Sequence, residues 1–167
     1  VATQALGDRE LWFEEAVPPE RARLYALAVT ITRDPSECED IVQDTLLAAW
    51  RSRPRLRDPA RTSAWLTRIC VNHCLQRARR RARWVSAGEK LLAAAPIRSR
   101  LDDRPMLDFD RAFTRLSPKQ RAVFVLHAHH GYSVRECAEI LGCRAGTARS
   151  HLGRVIAALR QEMSDDR

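Results

Sequence analysis

Apolar positions recur at steps of three and four along most of this chain, and no stretch shows convincing one-by-one alternation. That period marks helices with one face turned toward a core, so the pattern predicts an all-α protein. The first stripe is Leu24, Leu27, Ala28 and Ile31, in a helix from about Pro19 to Thr32. Asp34-Pro35-Ser36-Glu37 then restarts the chain: Asp caps, Pro takes the first helical position, and Glu follows three residues after the cap. This second helix reaches about Arg51 and buries Cys38, Ile41, Val42, Thr45, Leu46 and Ala49. A third runs from about Thr62 to Arg83, with Leu66, Ile69, Cys70 and His73 inward.

The last third, Leu116 to Arg160, reads as four helical segments punctuated by two capping boxes and two glycines. Ser117-Pro118-Lys119-Gln120 opens one helix and Gly131 ends it; Ser133-Val134-Arg135-Glu136 opens the next and Gly142 ends that. A longer helix follows from about Ala145. A short helix, a glycine turn and a longer helix form a helix-turn-helix, whose second member fits the DNA major groove. The pattern assigns Ala148, Leu152, Val155, Ile156 and Leu159 to its buried face. Gly146, Ser150, Gly153 and Arg154 lie opposite, flanked by Thr147, Arg149 and His151. Small residues permit close approach to DNA, and Arg reads guanine or clamps phosphate. A solvated basic face on a structural helix would look the same.

The polar faces of the earlier helices carry further signals. Asp40, Gln43, Asp44 and Leu47 share the outward side of the second helix. One exposed leucine is ordinary, and spacing alone favours that reading. Arg68, Asn72, Gln76, Arg79 and Arg83 lie near one stripe of the third helix. Its end, residues 77–83, holds five arginines in seven positions. Such a run repels itself unless a polyanion is near, which favours nucleic acid. A basic, proline-containing loop, Ser52 to Arg61, precedes that helix, and periodicity is lost from about Ser86 to Pro105.

Charge fits these faces. The chain of 167 residues has net charge +8, and only Lys90 and Lys119 are lysines. An anionic partner follows from that balance, although arginine in place of lysine also fits a GC-rich genome. Five cysteines without secretory context argue against a disulfide framework and for a reducing cytoplasm. No run is long enough to span a membrane. No catalytic set is found: there is no phosphate loop, no His-Glu-x-x-His and no nucleophile elbow. Cys70, His73 and Cys74 share a helix face, but a fourth zinc ligand is wanting, so they read as core, as do Cys137 and Cys143. No metal or cofactor is expected.

Three strings, in order, resemble the extracytoplasmic-function class of bacterial RNA polymerase sigma factors. ECEDIVQDTLLAAWR (37–51) resembles the segment that grips the polymerase clamp; AWLTRICVNHCLQRARRR (64–81) resembles the helix that melts and reads the −10 element; residues 116–160 resemble the domain that reads the −35 element. The resemblance implies two small helical domains, 8–85 and 111–163, with a linker over 86–110. It implies that Asp40, Gln43, Asp44 and Leu47 meet the clamp helices of the largest subunit, which gives Leu47 a partner. It implies that Arg57, Arg61, Asn72, Gln76, Arg79, Arg80 and Arg83 serve the −10 region, single-stranded at its bases. Thr147, Arg149, Ser150 and Arg154 would serve the −35 duplex. Further implied partners are the flap of the second-largest subunit and an anti-sigma factor. The acidic Asp102, Asp103, Asp108 and Asp110 would let the linker mimic nucleic acid in a basic channel. Departures from the family pattern are Gln76 where Asp is common, His151 and Ile156 where Arg is frequent, and Arg144 at a helix start where Pro or Ser is common. Two other readings stay open: a stand-alone helix-turn-helix regulator, and a polymerase-binding adaptor that does not read DNA.

Overall fold

The computed structural model describes residues 18–56, 58–88 and 108–164. Among these, every regular element is helical. Helix α1 covers residues 18–32, α2 Pro35–Ser52, α3 Thr62–Gly88, α4 Asp108–Arg115, α5 Pro118–Phe124, α6 Val134–Leu141 and α7 Ala145–Ser164. The basic loop forms two short 3₁₀ turns, Arg53–Arg55 and Pro59–Arg61. Helix α3 runs past the expected end at Arg83, and no proline interrupts it before Gly88.

Local chemistry accounts for the boundaries. The Asp34 carboxylate accepts from the Ser36 amide at 3.2 Å, capping α2 beside Pro35. Both predicted capping boxes form: Ser117 with Gln120, and Ser133 with Glu136. Gly142 closes α6 in the left-handed region, φ +62°, where a side chain is strained. After α5 the chain makes a π-helical turn, Val125–His129, before Gly131 reverses it at φ +71°.

Helix α2 packs on α3, and α4, α5 and α6 pack on α7. Arg23 ties α1 to α3, donating to the Thr67 hydroxyl at 2.8 Å and the Ser63 carbonyl at 3.0 Å. Leu24, Leu27 and Ile31 of α1, Ile41 and Val42 of α2, and Leu66 and Val71 of α3 are buried together. Complete burial of each large side chain contributes about 1.5–3 kcal/mol. The same cluster continues into Ala122, Val123, Leu126, Cys137 and Ala148, because α5 and α6 also pack on α3. A smaller cluster of Phe113, Leu116 and Val155 holds α4 to α7, with the Phe113 and Phe124 rings edge to face at 5.8 Å.

The predicted core stripes hold with one exception. Ile156 is 38% exposed, whereas Ala148 and Val155 are buried and Leu152 and Leu159 half-buried. The 148–152–155–159 row fills the seam, and Ile156 lies about 100° round from Val155. Cys38, Cys70, Cys74 and Cys137 are buried free thiols. Burial holds the Cys38 and Cys137 thiols above their usual range, Cys137 near 11, as for inert core cysteines.

Candidate nucleic-acid and protein interfaces

Helix α3 sorts its arginines by direction. Arg77 and Arg81, one turn apart, point at α2: Arg77 pairs with Asp44 at 3.0 Å and Arg81 with Asp34 at 2.6 Å. Hydrogen bonding from Ser36, then the Arg81 charge, holds the Asp34 carboxyl below its usual range, so it stays ionised at neutral pH. Asn72, Gln76, Arg79, Arg80 and Arg83 are exposed. Gln76, Arg79, Arg80, Ala82 and Arg83 line an open recess. The basic run is thus divided: two members hold the fold and three face solvent. Arg61 is exposed on the turn before α3 and meets Asp58 only at 3.5 Å. Arg57 lies outside the described residues. Trp84, which the helical pattern did not single out, is 78% exposed beside Arg83. Its signal in the sequence was an aromatic residue directly after an arginine run.

On α2, Asp40, Gln43 and Leu47 form an exposed strip at helical spacing, and Leu47 is 46% exposed. Asp44 lies on the same side but is half-buried, its carboxylate turned to Arg77. It therefore belongs as much to the α2–α3 seam as to the surface. Trp50 continues the strip and is covered in part by Arg53, whose guanidinium lies 4.8 Å from the ring.

The helix-turn-helix is α6, the turn at Gly142 and α7. The Cys143 amide donates to the Ala138 carbonyl at 3.0 Å, which fixes the turn. Thr147, Arg149, Ser150, Gly153 and Arg154 are exposed on α7, while Ala148 and Val155 anchor it from behind. A Cβ on Gly146 or Gly153 would meet nothing within 4 Å, so the glycines leave a flat strip open to a partner. The Ser150 hydroxyl donates to the Gly146 carbonyl at 3.0 Å, leaving its lone pairs to accept. His151 is half-buried with Nδ1 unpaired; burial, then the charges of Lys119 and Arg154, lower its pKa. A neutral histidine makes no phosphate clamp, so the outward charge of α7 rests on Arg149, Arg154 and Arg160.

Residues 19–84 match the family model of sigma-70 region 2, and residues 106–159 that of sigma-70 region 4. The chain is 32% identical over 160 residues to the ECF RNA polymerase sigma factor SigM of Mycobacterium tuberculosis, covering 95% of this chain and 80% of SigM. Among solved structures, it resembles the sigma factor RpoE in complex with the anti-sigma factor NepR from Bartonella quintana, with TM-score 0.71 and 28% identity, over 93% of this chain and 98% of RpoE. It also resembles CnrH in complex with the cytosolic domain of CnrY, with TM-score 0.64 and 28% identity, over 99% of this chain and 96% of the other.

Proposed function

The chain belongs to the extracytoplasmic-function sigma factors, alternative subunits that bind core RNA polymerase, direct it to −35/−10 promoters and help open the −10 DNA, and we propose how its surfaces divide that work. Helix α7 reads the −35 duplex. Arg149 and Arg154 supply base or phosphate contacts, Thr147 and Ser150 short polar ones, and the two glycines let the backbone come close. Helix α3 serves the −10 region. The Asn72 and Gln76 amides bond edges of unpaired bases, and Arg61 approaches the same strand. Arg79, Arg80 and Arg83 hold phosphates of the adjoining duplex. Arg57 joins this group on the family resemblance alone.

The strip Asp40, Gln43 and Leu47 meets the clamp helices of the largest polymerase subunit, the carboxylate and amide facing basic groups and Leu47 supplying desolvated contact. Asp44 contributes there while shared with Arg77. The helix-turn-helix unit meets the flap of the second-largest subunit. An anti-sigma factor is a further expected partner, since both solved relatives are held in complexes, one with a named anti-sigma factor. The polymerase carries out the chemistry and this chain has no catalytic role. Among the described residues no helix is long and apolar enough to cross a membrane, and we place the protein in the cytoplasm with the polymerase.

The observation that carries this reading is the pair of arginine-bearing faces on separate helical units, α3 and α7, with an acidic and apolar strip on α2, ahead of both in sequence. Run-off transcription with purified core polymerase, on genomic promoter fragments including the one upstream of its own gene, tests it. Transcripts that need the chain, and that Asn72→Ala and Arg149→Ala/Arg154→Ala each abolish, are the expected result. Tight binding to duplex DNA without polymerase, and no transcript from any fragment, would instead make the protein a stand-alone helix-turn-helix regulator.

A further inference from the structure

We propose that Trp84 is a further DNA contact, its ring laid on the sugar edge of the duplex just upstream of the −10 region, beside phosphates held by Arg80 and Arg83. The proposal rests on the division of surfaces given above. Trp84 is 78% exposed, whereas the other large apolar side chains at the surface among the described residues, Tyr25, Leu47, Trp50 and Ile156, are 37–46% exposed. A half-exposed apolar residue is ordinary. An indole standing mostly clear of the protein is not, because it holds a large apolar face in water and carries an N–H that a partner can use.

The course of α3 puts the ring there. Trp84 follows Arg81 by three positions and Arg80 by four, so it neighbours both on the helix surface. Arg81 reaches Asp34, which caps the first turn of α2. One turn further on, α2 gives no cover, and the ring stands among arginines instead of in a seam. Arg80 and Arg83 line the open recess with Gln76, Arg79 and Ala82, and no carboxylate is among these lining residues. Arg79, Arg80 and Arg83 are themselves exposed. A surround of that charge selects a polyanion rather than a protein surface.

Distance along the helix selects the part of the DNA. Asn72 and Trp84 are twelve positions apart, about 18 Å at about 1.5 Å per residue. A duplex rises about 3.4 Å per pair, so the ring stands about five base pairs from the base edge proposed for Asn72. Bases there are paired and stacked, and no base face is open to the ring. What the duplex offers at its surface is the apolar edge of deoxyribose beside phosphate oxygens. Trp84 matches both, its ring face for the sugar and its Nε1–H to donate to a phosphate oxygen. Neither contact neutralises a phosphate, so neither releases a counterion. The ring adds affinity that salt does not screen, next to arginines whose contribution salt does screen.

Fluorescence anisotropy of a labelled promoter, titrated with the polymerase complex over a range of salt concentrations, tests the contact. Circular dichroism checks that each variant keeps its helix content. Trp84→Ala is expected to bind about tenfold more weakly at every salt concentration, with the slope of log affinity on log salt unchanged. Trp84→Phe, which keeps an apolar ring, should recover most of the loss. Arg83→Ala should instead make the slope shallower by about 1. A fork template that keeps the −10 region and lacks the duplex upstream of it should bind the wild type and Trp84→Ala equally. Equal affinity of the two chains for the full promoter would overturn the proposal. So would a loss that persists on the fork template, which would put the ring on an unpaired base. A weaker hold of Trp84→Ala on core polymerase alone would also overturn it and make the ring a protein contact. Failure of the promoter reading shows differently, as no transcript and no preference for any fragment. The contact is then read with the chain alone on a mixed-sequence duplex at low salt. Trp84→Ala should still bind more weakly there, since a sugar edge carries no sequence, and equal binding would sink the contact.

Discussion

Arg77 and Arg80 stand three positions apart in one basic run, the first paired across a helix seam and the second exposed. Arg77 is spent on Asp44 across the α2–α3 seam, with side chains 29% and 46% exposed. Solvent screens a pair at that exposure, so its contribution is below about 1 kcal/mol. Arg77→Ala should lower the melting temperature by about 2–4 °C at most. It should leave the salt dependence of promoter binding by the polymerase complex unchanged. Arg80→Ala should do the reverse: an unchanged melting temperature, and a salt slope shallower by about 1 because one phosphate contact is lost. Equal loss of salt slope in both variants would show that Arg77 leaves Asp44 behind and follows the DNA. The sequence could show five arginines but not this division, because it depends on where α2 lies. Asp34 and Asp44 are more than thirty residues away in the chain.

At the scale of elements, what was legible was whatever local chemistry decides. Both capping boxes, the Asp34-Pro35 start and the Gly142 turn could be read because cap and helix are neighbours in sequence. The π-helical turn at Val125–His129 could not: neither a glycine nor a proline marks it, and it shows only in the His130-to-Val125 bond at 3.1 Å, five residues back instead of four. Helix α7 carries the sharper test. Gly153 sits mid-helix with open space where a Cβ would go. Gly153→Ala should therefore stabilise the free protein by about 0.5–1 kcal/mol. The same methyl stands on the strip proposed to press against DNA, so binding to the −35 element by the polymerase complex should weaken, by about tenfold if about 1.4 kcal/mol of contact is lost. Opposite signs in calorimetry and in promoter binding are the expected signature. A stabilised variant with unchanged promoter affinity would place the −35 duplex elsewhere. At Gly142, where φ is +62°, Ala should instead destabilise by about 1–2 kcal/mol.

At the scale of the whole molecule, the sequence showed two helical units and three surfaces, but not that the units share a core. In the pattern Arg121, which is buried on α5, is one more polar residue between apolar ones, and nothing local distinguishes it from Arg135, which is exposed on α6. Long-range burial also decides how the molecule responds to acid. His73 in the α2–α3 seam, His130 at the contact with α1, and His151 on α7 each have a lowered pKa, and burial is the largest cause in all three. The nearby charges divide. Arg77 lowers His73 while Asp44 raises it; Arg23 and His129 lower His130 while Glu20 raises it; Lys119 and Arg154 lower His151. An unfolded histidine takes up its proton near about pH 6.5, whereas these folded ones resist it. The unfolded state therefore binds more protons as pH falls, so the stabilisation is complete above about pH 6.5 and is lost on acidification below it. Asp34 and Glu136, depressed carboxyls, act in a separate window below about pH 4, where protonation removes their stabilisation. Melting temperature should thus decline from pH 7.5 to pH 5, before Asp34 and Glu136 lose their stabilisation. His130→Gln should remove part of that decline and, because His130 lies where the units meet, should also blunt any acid-driven rise in the radius of gyration of the free chain. A melting temperature that is flat or rises over this interval would mean that the three imidazoles reach water in the folded state.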